Sequence, residues 1–180
     1  MAEAGLTGNS APYTAEVTAW RFLNEGRGEA MVKWAESMVL SGFDSPALFI
    51  LLGETAPFNA FEMNELFDRA AFELGLPAIK SDVDAVLLLA SVAASKFISS
   101  FVSPMEALDA LLLLPWGIPE IPREKDLLLD ILAYTDQYGL SEEQQDAEAD
   151  RLLRAFHTGH PMHEWSSVEW SKASQDDDQV

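Results

Sequence analysis

Cysteine is absent from this chain. That excludes disulfides, thiolate nucleophiles and cysteine-based zinc sites together. Positive charge is scarce as well: 11 Lys and Arg stand against 30 Asp and Glu, a formal net charge of -19. Such a field repels phosphate backbones and anionic lipid headgroups, because both are bound through Lys and Arg that displace their counterions. The expected partners therefore include no nucleic acid and no membrane, and a basic protein surface or a cation fits better. Excess charge also has a plain use in keeping an apolar helical protein soluble.

Sequence signatures of catalysis are missing too. There is no GxSxG elbow, P-loop or GxGxxG, and the few glycines fall where helices end. The Glu-x-x-His pairs of a ferritin-like di-iron site are absent. Carboxylate pairs such as Glu62 with Glu65 or Asp82 with Asp84 sit at helix starts or on polar faces, where capping and solvation account for them. No alternating run is bounded by hairpin turns, so strands have no support. The start, MAEAGLTGNSAPY, has neither a basic region nor an apolar run, which makes a cytoplasmic location the expectation.

What the chain does have is apolar helical periodicity. Hydrophobic residues make up 48% of its 180 positions, and a chain of this length buries roughly 70% of the surface its unfolded form exposes. The expected fold is all-α. We read a single compact multi-helix domain of seven to eight helices over residues 13–158, with 159–180 as a docked C-terminal segment and acidic tail.

Its most apolar stretch, residues 81–114, is the expected centre. The part from Val83 to Phe101 approaches membrane-spanning length, but Asp82, Asp84 and Lys96 interrupt or flank it, so a buried core helix is the better reading. Ser81 caps it, and its apolar residues through Phe97, Ile98 and Phe101 repeat at spacings of three and four. Ser103, Pro104 and Glu106 open a second helix, so that two helices meet at a Ser-Pro corner.

Elsewhere, helices are expected over residues 14–24, 29–40, 47–52, 60–74, 122–138 and from Ser141 to about 157–159, with a short last one from Ser166. Gly42 and Gly75 stand where helix-ending glycines belong, and Ser45, Asn59 and Ser141 where caps belong. Helix 47–52 is apolar nearly all round and is expected to be buried. In helix 60–74, Phe61, Leu66, Phe67, Ala70 and Leu74 are assigned to the core and Glu62, Glu65, Asp68 and Glu73 to water, with Glu65 and Arg69 free to pair. Trp20, Phe22, Trp34 and Phe72 are read as core for the same reason. The corners Phe43-Asp44-Ser45-Pro46 and Phe101-Val102-Ser103-Pro104 echo one another, and the order of elements over 29–75 and 82–139 also admits two stacked three-helix units.

Two places could carry chemistry or contact. All three histidines fall between His157 and His163, so His157, His160, His163 and Glu164 form a candidate divalent transition-metal site. Gly159 and Pro161 forbid one continuous helix through them, and a loop must wrap to gather them. The plain alternative puts His157 at a helix C-terminus, favoured by the dipole, with the others in a solvated loop. For partner binding, the Pro-rich loop supplies Trp116, Ile118 and Ile121, and the start of the Ser141 helix supplies Glu142, Glu143 and Asp146.

The function expected from these observations is that of a non-enzymatic acidic helical protein that binds a basic protein partner, as an immunity-type inhibitor, adaptor or regulator does. The alternatives are a metal-binding protein or metal-dependent hydrolase built on the histidine tract, and a helical subunit of a homo-oligomer, a homodimer being the simplest.

Overall fold

A computed structural model describes residues 10–24, 27–112, 139–160 and 165 of the chain. The protein is all-α: seven helices and no strand occur among the described residues. They are α1 (Ser10–Phe22), α2 (Gly28–Leu40), α3 (Pro46–Gly53), α4 (Ala60–Glu73), α5 (Asp82–Ile98), α6 (Pro104–Leu112) and α7 (Glu142–Gly159). The chain divides into two compact units, one of residues 1–79 with 163–180 and one of residues 80–162. The helices expected over 122–138 and from Ser166, like the Pro-rich loop, lie outside the described residues.

In the first unit, Trp34 of α2 packs between α1 and α4. Its side chain is fully buried, and its ring centroid lies 4.7 Å from that of Phe67 at a tilt of 51°. An indole in such a place must satisfy its one donor. Trp34 Nε1 donates to Thr14 Oγ1 at 3.0 Å, and that hydroxyl is itself within 3.5 Å of Met38 Sδ. Thr14 was expected to start α1. Instead α1 begins at Ser10, with Pro12 in its first turn where no backbone hydrogen bond is lost, and Thr14 becomes the buried polar partner of the core.

Three helices end alike. After α2, Gly42 takes φ +89° and Phe43 N–H donates to Met38 O; after α4, Gly75 takes φ +66° and Leu76 N–H donates to Ala71 O. These are Schellman ends, in which the left-handed residue turns the chain back on the last free carbonyls. After α5 the same bonds form, with Phe101 N–H on Lys96 O, but the left-handed residue is Ser100 at φ +60°. A side chain in that region costs roughly 1 kcal/mol that glycine avoids. Ser100→Gly is therefore expected to stabilise the second unit by about 0.5–1 kcal/mol, read as a rise in its urea midpoint.

The Ser-Pro corners that follow two of these ends share their backbone but not their packing. At the second, the cap is local: Glu106 N–H donates to Ser103 Oγ at 3.2 Å, and Glu106 Oε2 accepts from Ser103 N–H at 2.7 Å. At the first, Ser45 Oγ accepts from Leu48 N–H at 3.0 Å, but the carboxylate arrives from α4, where Glu73 Oε2 accepts from Ala47 N–H at 3.0 Å. The buried positions differ as well, Ala47, Leu48 and Leu51 on α3 against Ala107 and Leu108 on α6. Phe49 and Ile50 of α3 are about half exposed, so the expectation of a fully buried helix does not hold: an eight-residue helix packed on α2 and α4 has only one covered side.

Glu73 thus ties α3 to α4. Burial pushes its carboxyl up, but the hydrogen bonds from Ala47 N–H, the Ser45 hydroxyl and the Arg69 guanidinium outweigh this and hold it below its ordinary value. Arg69 pairs with Glu73 at 2.9 Å and not with Glu65, because Glu73 is already fixed by the α3 corner. A depressed folded-state value means that this contribution is whole above the unfolded pKa of about 4.3 and fades as pH falls below it. Glu73→Gln is expected to cost about 1–2 kcal/mol at pH 7. The gap between variant and wild type should shrink between pH 5 and 3 in denaturant titrations.

In the second unit, α5 is covered on most of its circumference. Ala85, Val86, Leu89, Ala90, Val92, Ala93, Ala94 and Phe97 are all buried, and α6 and α7 pack on it through Ala107, Leu108, Ala149, Leu152, Leu153 and Phe156. The four alanines let neighbours approach closely. The Arg154 guanidinium lies 5.2 Å from the Phe97 ring centroid, a cation–π contact that screens the edge of this core. Phe101, expected on the same apolar face, is 63% exposed because α5 has already turned at Ser99. The described residues of this stretch, on α5 and the first turns of α6, do centre a core, but it is the core of this unit; the first unit has its own. No helix among the described residues is long and apolar enough to cross a membrane.

Candidate functional site

The unusual surface is on α4. Met63, Phe67, Ala70 and Leu74 are its buried residues, and at 100° per residue they occupy one narrow arc. Phe61, Glu65, Asp68 and Phe72 fall on the opposite arc. Phe61 is 87% and Phe72 85% exposed. Both were expected in the core, and the geometry of the helix is what overturns this: a residue two positions from Met63 or from Ala70 points away from the face those residues bury. Eleven residues make three helical turns, so the two phenyl rings stand about 16 Å apart along the axis, with Glu65 and Asp68 between them.

Local chemistry fixes this helix firmly. Asn59 Oδ1 accepts from Phe61 N–H at 3.1 Å and caps its start. Glu62 in the first turn complements the helix dipole. At the other end the turn at Gly75 sends Leu76, Pro77, Ala78 and Ile79 back alongside the helix, and with Thr18, Arg21 and Phe22 of α1 they enclose an open groove of about 370 Å³. Phe67, Ala71 and Phe72 form its α4 wall.

One ion pair crosses that groove. Arg21 Nη2 donates to Asp68 Oδ2 at 2.7 Å, with the Arg21 side chain only 20% exposed and that of Asp68 57%. Arg21 sits in the last turn of α1, where a cation suits the dipole, and Asn24 ends the helix at φ +59°, a conformation that asparagine tolerates. Its Nη1 reaches Asn24 Oδ1 at 3.5 Å, while its Nε is buried without a hydrogen-bond partner. The result is a carboxylate held at the groove mouth by a recessed guanidinium. Such an arrangement can receive an apolar side chain with a cationic neighbour.

The residues assigned from sequence fall elsewhere. Trp116, Ile118, Ile121, His163 and Glu164 lie outside the described residues. Glu142, Glu143 and Asp146 are exposed on the first turns of α7, where Ser141 and Gln144 close a capping box. Further along, Arg151 pairs with Glu148 at 2.6 Å and Arg154 with Asp150 at 2.8 Å, so the middle of that helix is locally neutralised.

α7 runs through Gly159, with His160 at its C-cap. The His160 ring stacks on Phe156 at 4.4 Å, and its Nδ1 lies 3.3 Å from Phe156 O. His157 is half-buried, its Nδ1 enclosed without a partner. Among the described residues, no three His, Asp or Glu side chains stand close enough to hold a metal ion. Zinc titration tests the tract, since a ligand that binds only the folded state raises the melting temperature. A zinc-dependent rise that disappears in His157→Ala assigns a metal centre to it, and an unchanged melting temperature rules one out.

No protein-family model matches the chain, and neither the curated proteins nor the solved structures provide a similar one.

Proposed function

We propose that this chain is a non-enzymatic acidic protein that binds a basic surface on another protein through the outer face of α4. The observation that carries the reading is the stripe Phe61, Glu65, Asp68, Phe72, in which two exposed aromatic rings bracket two carboxylates on the arc opposite the buried face. A large exposed aromatic side chain has a cost in water, and paired aromatics within reach of one partner are typical binding anchors. Charge selects the partner. With a net charge of -19, acidic or neutral surfaces gain nothing from approach, whereas a basic one is steered in at rates that fall with salt.

The same charge weighs against self-association. Two copies meeting face to face would bring Glu65 and Asp68 of each against those of the other, and like charges across an interface cost several kcal/mol. The test is affinity capture from native extract at low and high salt, run in parallel with wild type and Phe61→Ser/Phe72→Ser. A basic protein held by wild type at low salt, released by salt and lost in the variant supports the reading. Equal recovery by both proteins contradicts it.

A further inference from the structure

We infer that the partner segment taken by this face is a basic amphipathic helix, which sets one apolar side chain into the groove between α1 and α4 and a second against Phe61. The inference rests on the reading of α4 as the binding face. The apolar features of the surface are discrete and spaced: a groove walled by Phe22, Phe67, Ala71, Phe72 and Ile79 at one end, and an exposed ring about three turns away at the other. An extended segment would span that distance in about five residues, its side chains alternating to opposite sides. A helix covers it in three turns with one continuous stripe, the usual geometry of helix-in-groove recognition.

Charge is complementary in detail. Between the groove and Phe61 lies Glu65, Asp68 stands at the groove mouth, and Glu62 flanks Phe61 on the same helix. A helix whose apolar stripe is bordered by Lys or Arg brings those cations onto these carboxylates. Asp68 is oriented for this because Arg21 holds only its Oδ2 from below and leaves the side chain 57% exposed. Phe61 and Phe72 present faces that accept a cation as readily as a methyl group. Stems of Lys or Arg lie well on such rings while their heads remain in water.

The probes that test this are two synthetic 18-residue peptides of identical Leu and Lys content, one with Leu at helical spacing and one with Leu and Lys alternating. The helical peptide is expected to bind the full-length chain at least 10-fold more tightly than the alternating one at physiological salt and to gain helical circular dichroism on binding. Phe72→Ala should weaken it 10-fold or more. So should Ala71→Trp, which fills the groove, provided that its melting temperature matches wild type; where it does not, Phe61→Ala is the second arm, with the same expected loss. Equal affinity for the two peptides, or no effect of these substitutions, overturns the helix inference while leaving a basic partner intact. Failure of both peptides to bind even at low ionic strength overturns the underlying reading. A dimer by light scattering that Phe61→Ala/Phe72→Ala dissolves gives the face to a second copy and overturns both.

Discussion

Trp34→Ala is expected to lower the stability of the first unit by about 3–5 kcal/mol, the range for deleting a large buried aromatic side chain. For a unit of this size each kcal/mol moves the melting temperature by about 4–8 °C, so the unit should melt at least 12 °C lower or be unfolded at room temperature. The reason is specific to the site. Trp34 has no exposed surface, packs on Phe67 and uses its indole N–H on Thr14, so truncation opens a cavity where α1, α2 and α4 meet and removes the hydrogen bond that links α1 to α2 there. Thr14→Val offers a gentler probe, expected to cost about 1–2 kcal/mol because the indole donor is then left unsatisfied. Combining Thr14→Val with Trp34→Phe should cost less than the two separately, since both ends of the hydrogen bond are gone. Thermal circular dichroism of wild type and the four variants decides this, and a Trp34→Ala protein melting within 2 °C of wild type would contradict the core assignment.

The second large effect is on binding and spares stability. Phe61→Ala and Phe72→Ala are each expected to weaken the partner complex by about 2 kcal/mol, roughly 30-fold, as central aromatic anchors do. The free protein should be unchanged within about 0.5 kcal/mol, because both rings stand in water and alanine is the better helix former. This pairing of outcomes separates a binding residue from a core residue. Phe67→Ala, five residues from Phe72 but facing Trp34, should do the reverse and destabilise the unit. Glu65→Gln should act mainly on the association rate and flatten its salt dependence, the behaviour of a rim charge. Calorimetry and stopped-flow measurements on the same variants separate the two.

Much of the fold is legible in the sequence because its helix ends are chemically punctuated. Ser45 before Pro46, Ser103 before Pro104 and Ser141 with Gln144 mark three starts, and each side chain makes the cap bond its position implies. Gly42 and Gly75 mark two ends. These are local effects, decided by residues within one turn of each other. What sequence alone does not yield is long-range: Glu73 reaching back to the α3 corner, Thr14 serving Trp34, and the division of the chain after Ile79. None of these has a signature in a window of a few residues.

The candidate face was half legible. Met63, Phe67, Ala70 and Leu74 define the buried arc by spacing alone, and once that arc is drawn, Phe61 and Phe72 fall opposite it beside Glu65 and Asp68. Counting aromatic residues as core by default hides this, since apolar residues lie on two sides of α4 and, among the described residues, only one side has a helix to cover it. The acids are the available signal. An aromatic residue that shares its arc with two carboxylates is facing water, whatever its hydropathy.

The claim that the outer face of α4 is where a basic partner docks is tested most directly by photo-crosslinking in the cell. A photoreactive phenylalanine analogue placed singly at positions 61, 72 and 142 reports what stands within a few ångströms of each. Docking on this face gives a discrete adduct with one basic protein from positions 61 and 72 and none from position 142 at the start of α7. An adduct from position 142 alone, or none from either phenylalanine position, would contradict it.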